Sequence, residues 1–341
     1  MKIFIAITVT FIITSSFFLF LFYWQQSYLS PIGKTKSNVS EKPLEKYAYL
    51  RLQKTKFSPS AISIGELLSD NEDFQSYLFY YQADGKKISG LLNIPKGSGH
   101  YPVLILIRGY VDRDNYQTGV GTNRVGEVFA RAGFITLAPD FLGYGQSDAP
   151  SSYPLEERFQ TYTSALTLLS SLKNLPTVVG KVSPPVIPDP SRVGIWGHSN
   201  GGQIALSVLE ISGQDYPTVL WAPVSKPFPY SILYYTDEAD DHGRALRRLV
   251  GEFEKNYDVE SYSLTNYLDW IKAPIQLHQG LSDGAVPAAW SKQLSLDLKS
   301  KNKEVEYFTY TNADHNLMPD GWTAAVERSS EFFRSNIFPL F

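Results

Sequence analysis

The sequence predicts an α/β fold built on a mostly parallel sheet with helices on both faces. Three observations predict it. Short apolar runs bounded by Pro or Gly recur at Val103–Ile107, Phe134–Ala138, Thr218–Ala222 and Ile275–Gln279, as expected of strands covered on both sides. Stretches with helical spacing separate them. The 341 residues are 43% hydrophobic and 19% charged, a globular composition that supplies a large core.

The elements follow in order. Ile3 to Trp24 are 22 consecutive uncharged positions. At about 1.5 Å per residue such a helix just spans a hydrocarbon core of about 30 Å. Lys2 precedes it, and Tyr23 and Trp24 stand where interfacial aromatics anchor a span. The expectation is one transmembrane helix over 1–24, retained because no small-x-small pattern closes the apolar run; a cleaved signal is the competing reading. Residues 25–46 turn polar and read as a tether, 47–73 as an extension, and 74–341 as the main domain. This predicts a single-pass membrane protein with its folded part outside the cytoplasm, or a secreted one if the leader is removed.

Phe74–Tyr81 and Lys87–Ile94 read as strands joined by the Asp84-Gly85 turn, a hairpin at the sheet edge. After Val103–Ile107 come a helix over Val125–Ala132, the strand Phe134–Ala138 and a longer helix from about Leu155 to Leu172. Pro176 to Pro190 carries five prolines and reads as a loop. Arg192–Trp196 is a strand that runs directly into a helix beginning at Ser199 or Asn200. Thr218–Ala222, Ile275–Gln279 and Val305–Thr309 complete the strands, and Thr323–Ser335 is a closing helix. Residues 225–269, dense in charge and Tyr, read as a helical cap or as surface helices.

The chain contains no cysteine, which removes disulfides, thiolate metal sites and a cysteine nucleophile. Its formal net charge of -3 offers no basic field for a phosphate backbone, so nucleic acid is not an expected partner. Metal binding has little support: no two His share a short ligand spacing, and Asp237, Asp240 and Asp241 lack the glycine and closing glutamate of a calcium loop.

Gly197-His198-Ser199-Asn200-Gly201-Gly202 follows the strand and opens a helix. A sharp strand-to-helix turn crowds its centre, so Gly197 and Gly201 are wanted on either side of a nucleophile at Ser199. The helix N-terminus offers unpaired N–H groups to a developing oxyanion. Serine needs a base, and five His are available. His100 reads as a surface residue, His198 as a loop-shaping neighbour of the nucleophile, His242 as part of a solvated face, and His278 as a core imidazole. His315, in the loop between the last strand and last helix, is the best base. Asp283 follows strand Ile275–Gln279 and stands at a strand end, where the chemistry of open parallel sheets collects; it is the expected partner of that imidazole. The expected oxyanion donors are the backbone N–H groups of Asn200 and Tyr110. Arg108 reads as a contact to a substrate carboxylate or, at least as readily, as one half of a structural salt bridge, and Gly143-Tyr144-Gly145 as a turn shaping the rim.

At this point the chain resembles the prolyl-oligopeptidase-like serine hydrolases, and more loosely the dienelactone-hydrolase and acetyl-esterase-like branches. The resemblance runs from about Phe74 to Phe333. It rests on Phe129-Ala130-Arg131-Ala132-Gly133-Phe134, on Asp140-Phe141-Leu142-Gly143-Tyr144-Gly145, on Asp189 through Ser199, and on Gly280–Asp283 with Val286-Pro287. It implies an α/β-hydrolase fold with an eight-stranded sheet, and Ser199, Asp283 and His315 as nucleophile, acid and base. The segment before the hairpin is too short for the propeller of the larger members, and Arg108-Gly109-Tyr110 departs from the His-Gly-Gly form of the oxyanion loop. The expected function is acyl-enzyme hydrolysis of small peptides or amides without a cofactor. A carboxylesterase is the alternative, and a membrane-tethered binding protein on the same scaffold is the third reading.

Overall fold

The computed structural model describes residues 14–18, 42–183, 185–236 and 240–338. Residues 14–18 are helical, and the rest of the apolar segment Ile3–Trp24 lies outside the described residues. No helix among the described residues is long and apolar enough to cross a membrane. The main compact unit runs from Leu44 to Phe341.

Among the described residues its sheet has nine strands, one more than expected: β1 Ser63–Asp70, β2 Phe74–Ala83, β3 Lys86–Pro95, β4 Gly99–Ile107, β5 Ile135–Pro139, β6 Val186–His198, β7 Thr218–Trp221, β8 Ile275–Gly280 and β9 Val305–Tyr310. The spatial order is β1-β2-β3-β5-β4-β6-β7-β8-β9. The first three pairings are antiparallel and the rest parallel. The β2–β3 hairpin turns at Asp84-Gly85, both at positive φ. It is not the outermost element, because β1 pairs with β2 beyond it. β1 escapes the sequence pattern because it is almost wholly exposed and irregular in register, so no alternating apolar face marks it.

Alternate residues of β4 serve opposite faces, which is the direct test of a sheet covered on both sides. Leu104 and Leu106 join Val125 and Phe129 of α2 (Asn123–Arg131) and Phe333 of the closing helix Trp322–Ile337. Val103, Ile105 and Ile107 join the opposite layer. That layer is carried by α3 (Pro154–Ser171) and α5 (Asn200–Ser212), with Phe159, Leu168, Ile204 and Val208 buried.

The proline-rich stretch is not a loop throughout. Pro176 sits in the first turn of α4 (Leu175–Val182), where a missing N–H costs nothing. Val186–Asp189 then pair in parallel with Gly99–Pro102. Pro190-Ser191-Arg192 fall in a register shift before Val193 pairs with Val103, so Pro190 occupies a bulge.

Residues 225–269 hold short helical turns and one helix of eleven residues, Arg244–Glu254. Phe228, Phe253 and Tyr262 fold against Phe159 of α3, so this excursion is part of the core. The extension before the hairpin is also built in. Leu44, Tyr47, Tyr49 and Leu52 are buried, and Tyr49 Oη shares a 2.6 Å hydrogen bond with Ser207 Oγ on α5.

Candidate active site

The parallel strands β4, β5, β6, β8 and β9 all end at one edge, so the loops after them share a rim. Ser199 stands at the end of β6 with φ 56° and ψ −121°, a conformation costly for a residue with a side chain. It is over-determined by its neighbours: Ser199 N–H donates to the Trp221 carbonyl at 2.9 Å, and the Ser199 carbonyl accepts from Val224 N–H at 3.0 Å and Gly202 N–H at 2.9 Å. Gly197 and Gly201 flank it. A Cβ on Gly201 would lie 2.0 Å from the Ile107 carbonyl oxygen, so only glycine lets the turn close onto the β4 loop. That loop, Arg108-Gly109-Tyr110, packs directly on Ser199: a Cβ on Gly109 would come 3.0 Å from Ser199 Cβ. Asn200 opens α5, so its N–H has no partner within the helix.

His315 and Asp283 meet. His315 Nδ1 donates to Asp283 Oδ2 at 2.9 Å, and the Asp283 side chain is fully buried while the His315 side chain is 22% exposed. Backbone N–H groups of Ala285 and Val286 donate to Asp283 Oδ1, each at 2.8 Å, and Gln279 Nε2 donates to Oδ2 at 2.9 Å. Burial alone would raise this carboxyl; the bonds from His315, Val286 and Ala285 outweigh it and hold it below the ordinary carboxylate value. Gly280 makes the meeting possible. A Cβ there would lie 2.3 Å from the Ala313 carbonyl and 2.4 Å from that of Asp314, so the two loops touch through bare backbone.

Gln279 was read from sequence only as the end of a strand. It is buried, and its Oε1 accepts from Ser291 Oγ at 2.6 Å while its amide reaches Asp283. Nothing in a single sequence separates such a residue from any other polar strand end.

The remaining imidazoles have other places. His198 Nε2–H donates to the His315 carbonyl at 2.9 Å, with the two rings 4.6 Å apart. Desolvation, with His315 beside it, lowers His198 to about 4. It thus braces the backbone of His315 as a neutral ring. His278 is buried, accepts from Tyr310 Oη–H and donates to Gln276 Oε1, each at 2.8 Å; burial lowers it to about 3. His100 and His242 are exposed. Asp314 caps its own turn, accepting from Asn316 and Met318 N–H.

Arg108 is buried and donates to two carbonyls, Gly109 at 2.9 Å and Asp140 at 2.8 Å, beneath the rings of Tyr116 and Tyr144. Among the described residues it forms no ion pair. Tyr144 lines a cavity of about 270 Å³ that also touches Tyr110 and Asn200. No group of three or more metal-ligating side chains occurs among the described residues, although Asp237 lies outside them.

Comparison with known proteins places this rim. A model described as the prolyl oligopeptidase family matches residues 177–337, which contain Ser199, Asp283 and His315. A model described as chlorophyllase matches residues 81–215. The "uncharacterized peptidase YtmA" of Bacillus subtilis is 28% identical over 272 residues, covering 78% of this chain and 96% of that one. Acetyl xylan esterase 1 from Thermoanaerobacterium shares the fold at a TM-score of 0.60 and 18% identity, over 85% of this chain and 94% of that one. The acylaminoacyl peptidase of Pyrococcus horikoshii does so at 0.58 and 18% identity, over 80% of this chain but only 43% of its own length. With the fold and rim described above, the chain is a serine-type hydrolase on an α/β fold, similar over residues 177–337 to the prolyl oligopeptidase family.

Proposed function

We propose that the chain hydrolyses small peptides or amides through an acyl-enzyme formed on Ser199. His315 Nε2 takes the hydroxyl proton as Ser199 Oγ bonds to the scissile carbonyl carbon. The carbonyl electrons move onto oxygen, and the Tyr110 and Asn200 N–H groups receive that charge. Asp283 holds Nδ1–H, which fixes the tautomer and favours the imidazolium. Collapse breaks the carbon–nitrogen bond, and His315 returns the proton to the leaving amine. Water, deprotonated by His315, then attacks the ester carbonyl and frees Ser199.

The observation that carries this reading is the hydrogen bond from His315 to a buried, fourfold-bonded Asp283 at the rim that bears a strained Ser199. A fluorophosphonate probe should label the protein and fail to label Ser199→Ala. Aminoacyl anilides should be turned over alongside short acyl esters. Ester turnover without detectable amide turnover would move the assignment to a carboxylesterase, and absence of labelling would refute catalysis. The apolar run Ile3–Trp24 supports attachment of the folded unit to a membrane; release from membranes by alkaline carbonate would overturn a spanning anchor.

A further inference from the structure

The cavity next to the Ser199 turn carries two guanidinium groups in its wall, Arg108 and Arg158. It touches Tyr110 and Asn200, the neighbour of Ser199, but not Ser199, His315 or Asp283. The leaving group must face the imidazole that protonates it. The acyl chain, on the other side of the carbonyl carbon, therefore enters the cavity.

Arg158, on α3, lines that cavity. One of its terminal nitrogens, Nη2, donates to Gln203 Oε1. Its Nε is buried and lacks a partner among the described residues, where no carboxylate pairs with it. Two acids on the same pair of helices, α3 and α5, do not pair with it. Glu157, also in the wall, is held by Arg113. Glu210, buried on α5, has both oxygens unpartnered among the described residues, and burial pushes its carboxyl well above the ordinary value. The other guanidinium of the wall, Arg108, spends both terminal nitrogens on carbonyl oxygens, and its buried Nε also lacks a partner among the described residues. A buried N–H donor without a partner is costly unless an acceptor completes it, and the planar fork of a guanidinium suits a carboxylate.

We propose that Arg158 makes this hydrolase selective for acyl groups that carry a carboxylate, such as a peptide with an acidic residue on the acyl side of the cleaved bond. The inference rests on acyl-enzyme formation at Ser199 but not on whether the natural bond is an amide or an ester.

The test compares the adipyl monoester of 4-nitrophenol with its heptanoyl ester, acyl chains of similar length that differ in the terminal carboxylate. The ratio of their kcat/KM values should fall at least tenfold in Arg158→Gln, and less in Arg158→Lys, which keeps a charge. A ratio within twofold of the unchanged protein in Arg158→Gln overturns the proposal. Should that variant fail to fold, the unmodified protein decides: glutarate should slow fluorophosphonate labelling of Ser199 at least fivefold more than glutaramide at equal concentration, and equal slowing overturns the selectivity. Labelling that never occurs refutes the underlying catalytic reading instead, so the two failures are distinct.

Discussion

Asp283 and Glu210 are both carboxylic acids withdrawn from water, and they end in opposite states. Asp283 receives four hydrogen bonds, from His315, Gln279, Ala285 and Val286, and its carboxyl is held below the ordinary value. Glu210 receives none among the described residues, and burial pushes it well above. Depth does not decide the charge of a buried acid; the donors aimed at it do. The rim therefore favours the charged form of a carboxyl, and the neighbouring core favours the neutral form of the same group.

The strongest attack on this contrast is Asp283→Asn. It keeps the shape, but its amide nitrogen can displace Nδ1–H and leave His315 in the wrong tautomer. The expected loss is about 10³- to 10⁴-fold in kcat, read on any ester that the protein turns over. Next comes Gln279→Leu, which removes one donor and leaves the two backbone bonds. A charge-assisted bond contributes about 1.5–3 kcal/mol, so kcat should fall on the order of tenfold with little change in KM; an unchanged kcat would show that Gln279 serves packing alone.

The remaining predictions concern stability, followed by melting temperature against pH. His198 and His278 are lowered to about 4 and about 3 by burial, so the unfolded chain binds more protons below its own value near 6.5. Stability should decline as pH falls from about 6.5 toward 4. The Asp283 contribution, present above the unfolded value near 3.8, is lost only as pH falls further through its lowered folded value. Glu210 acts in the opposite sense. The folded state keeps its proton above the unfolded value near 4.5 while the unfolded chain releases it, so wild-type stability is eroded as pH rises. Glu210→Gln should therefore melt higher relative to wild type at pH 8 than at pH 4, by a few degrees; a difference that stays flat with pH would show an ionised Glu210.

Much of the rim was legible in the chain because strand ends announce themselves. Ser199 sits between glycines at the close of an apolar run, and Asp283 and His315 follow two others. What stayed hidden depends on approach in space. Arg158 lies within a helix of mixed polarity, and only the packing of α3 beside α5 sets it on the cavity wall. Gln279 looks like any strand residue until the turn after it folds back. β1 was missed because an exposed edge need not bury an apolar face, and α4 because prolines in a first helical turn resemble a loop. The nine-stranded sheet thus exceeds the eight strands that apolar periodicity revealed.

The Tyr49–Ser207 hydrogen bond reaches from the chain's early part to the helix that opens just after Ser199. Whoever trims this protein for study should accordingly cut ahead of Leu44, since Leu44 and Tyr47 are already buried. A fragment begun after Tyr49 would lose a wedge from beneath its own reactive helix, and poor activity in such a preparation would report on the scissors rather than on the chemistry.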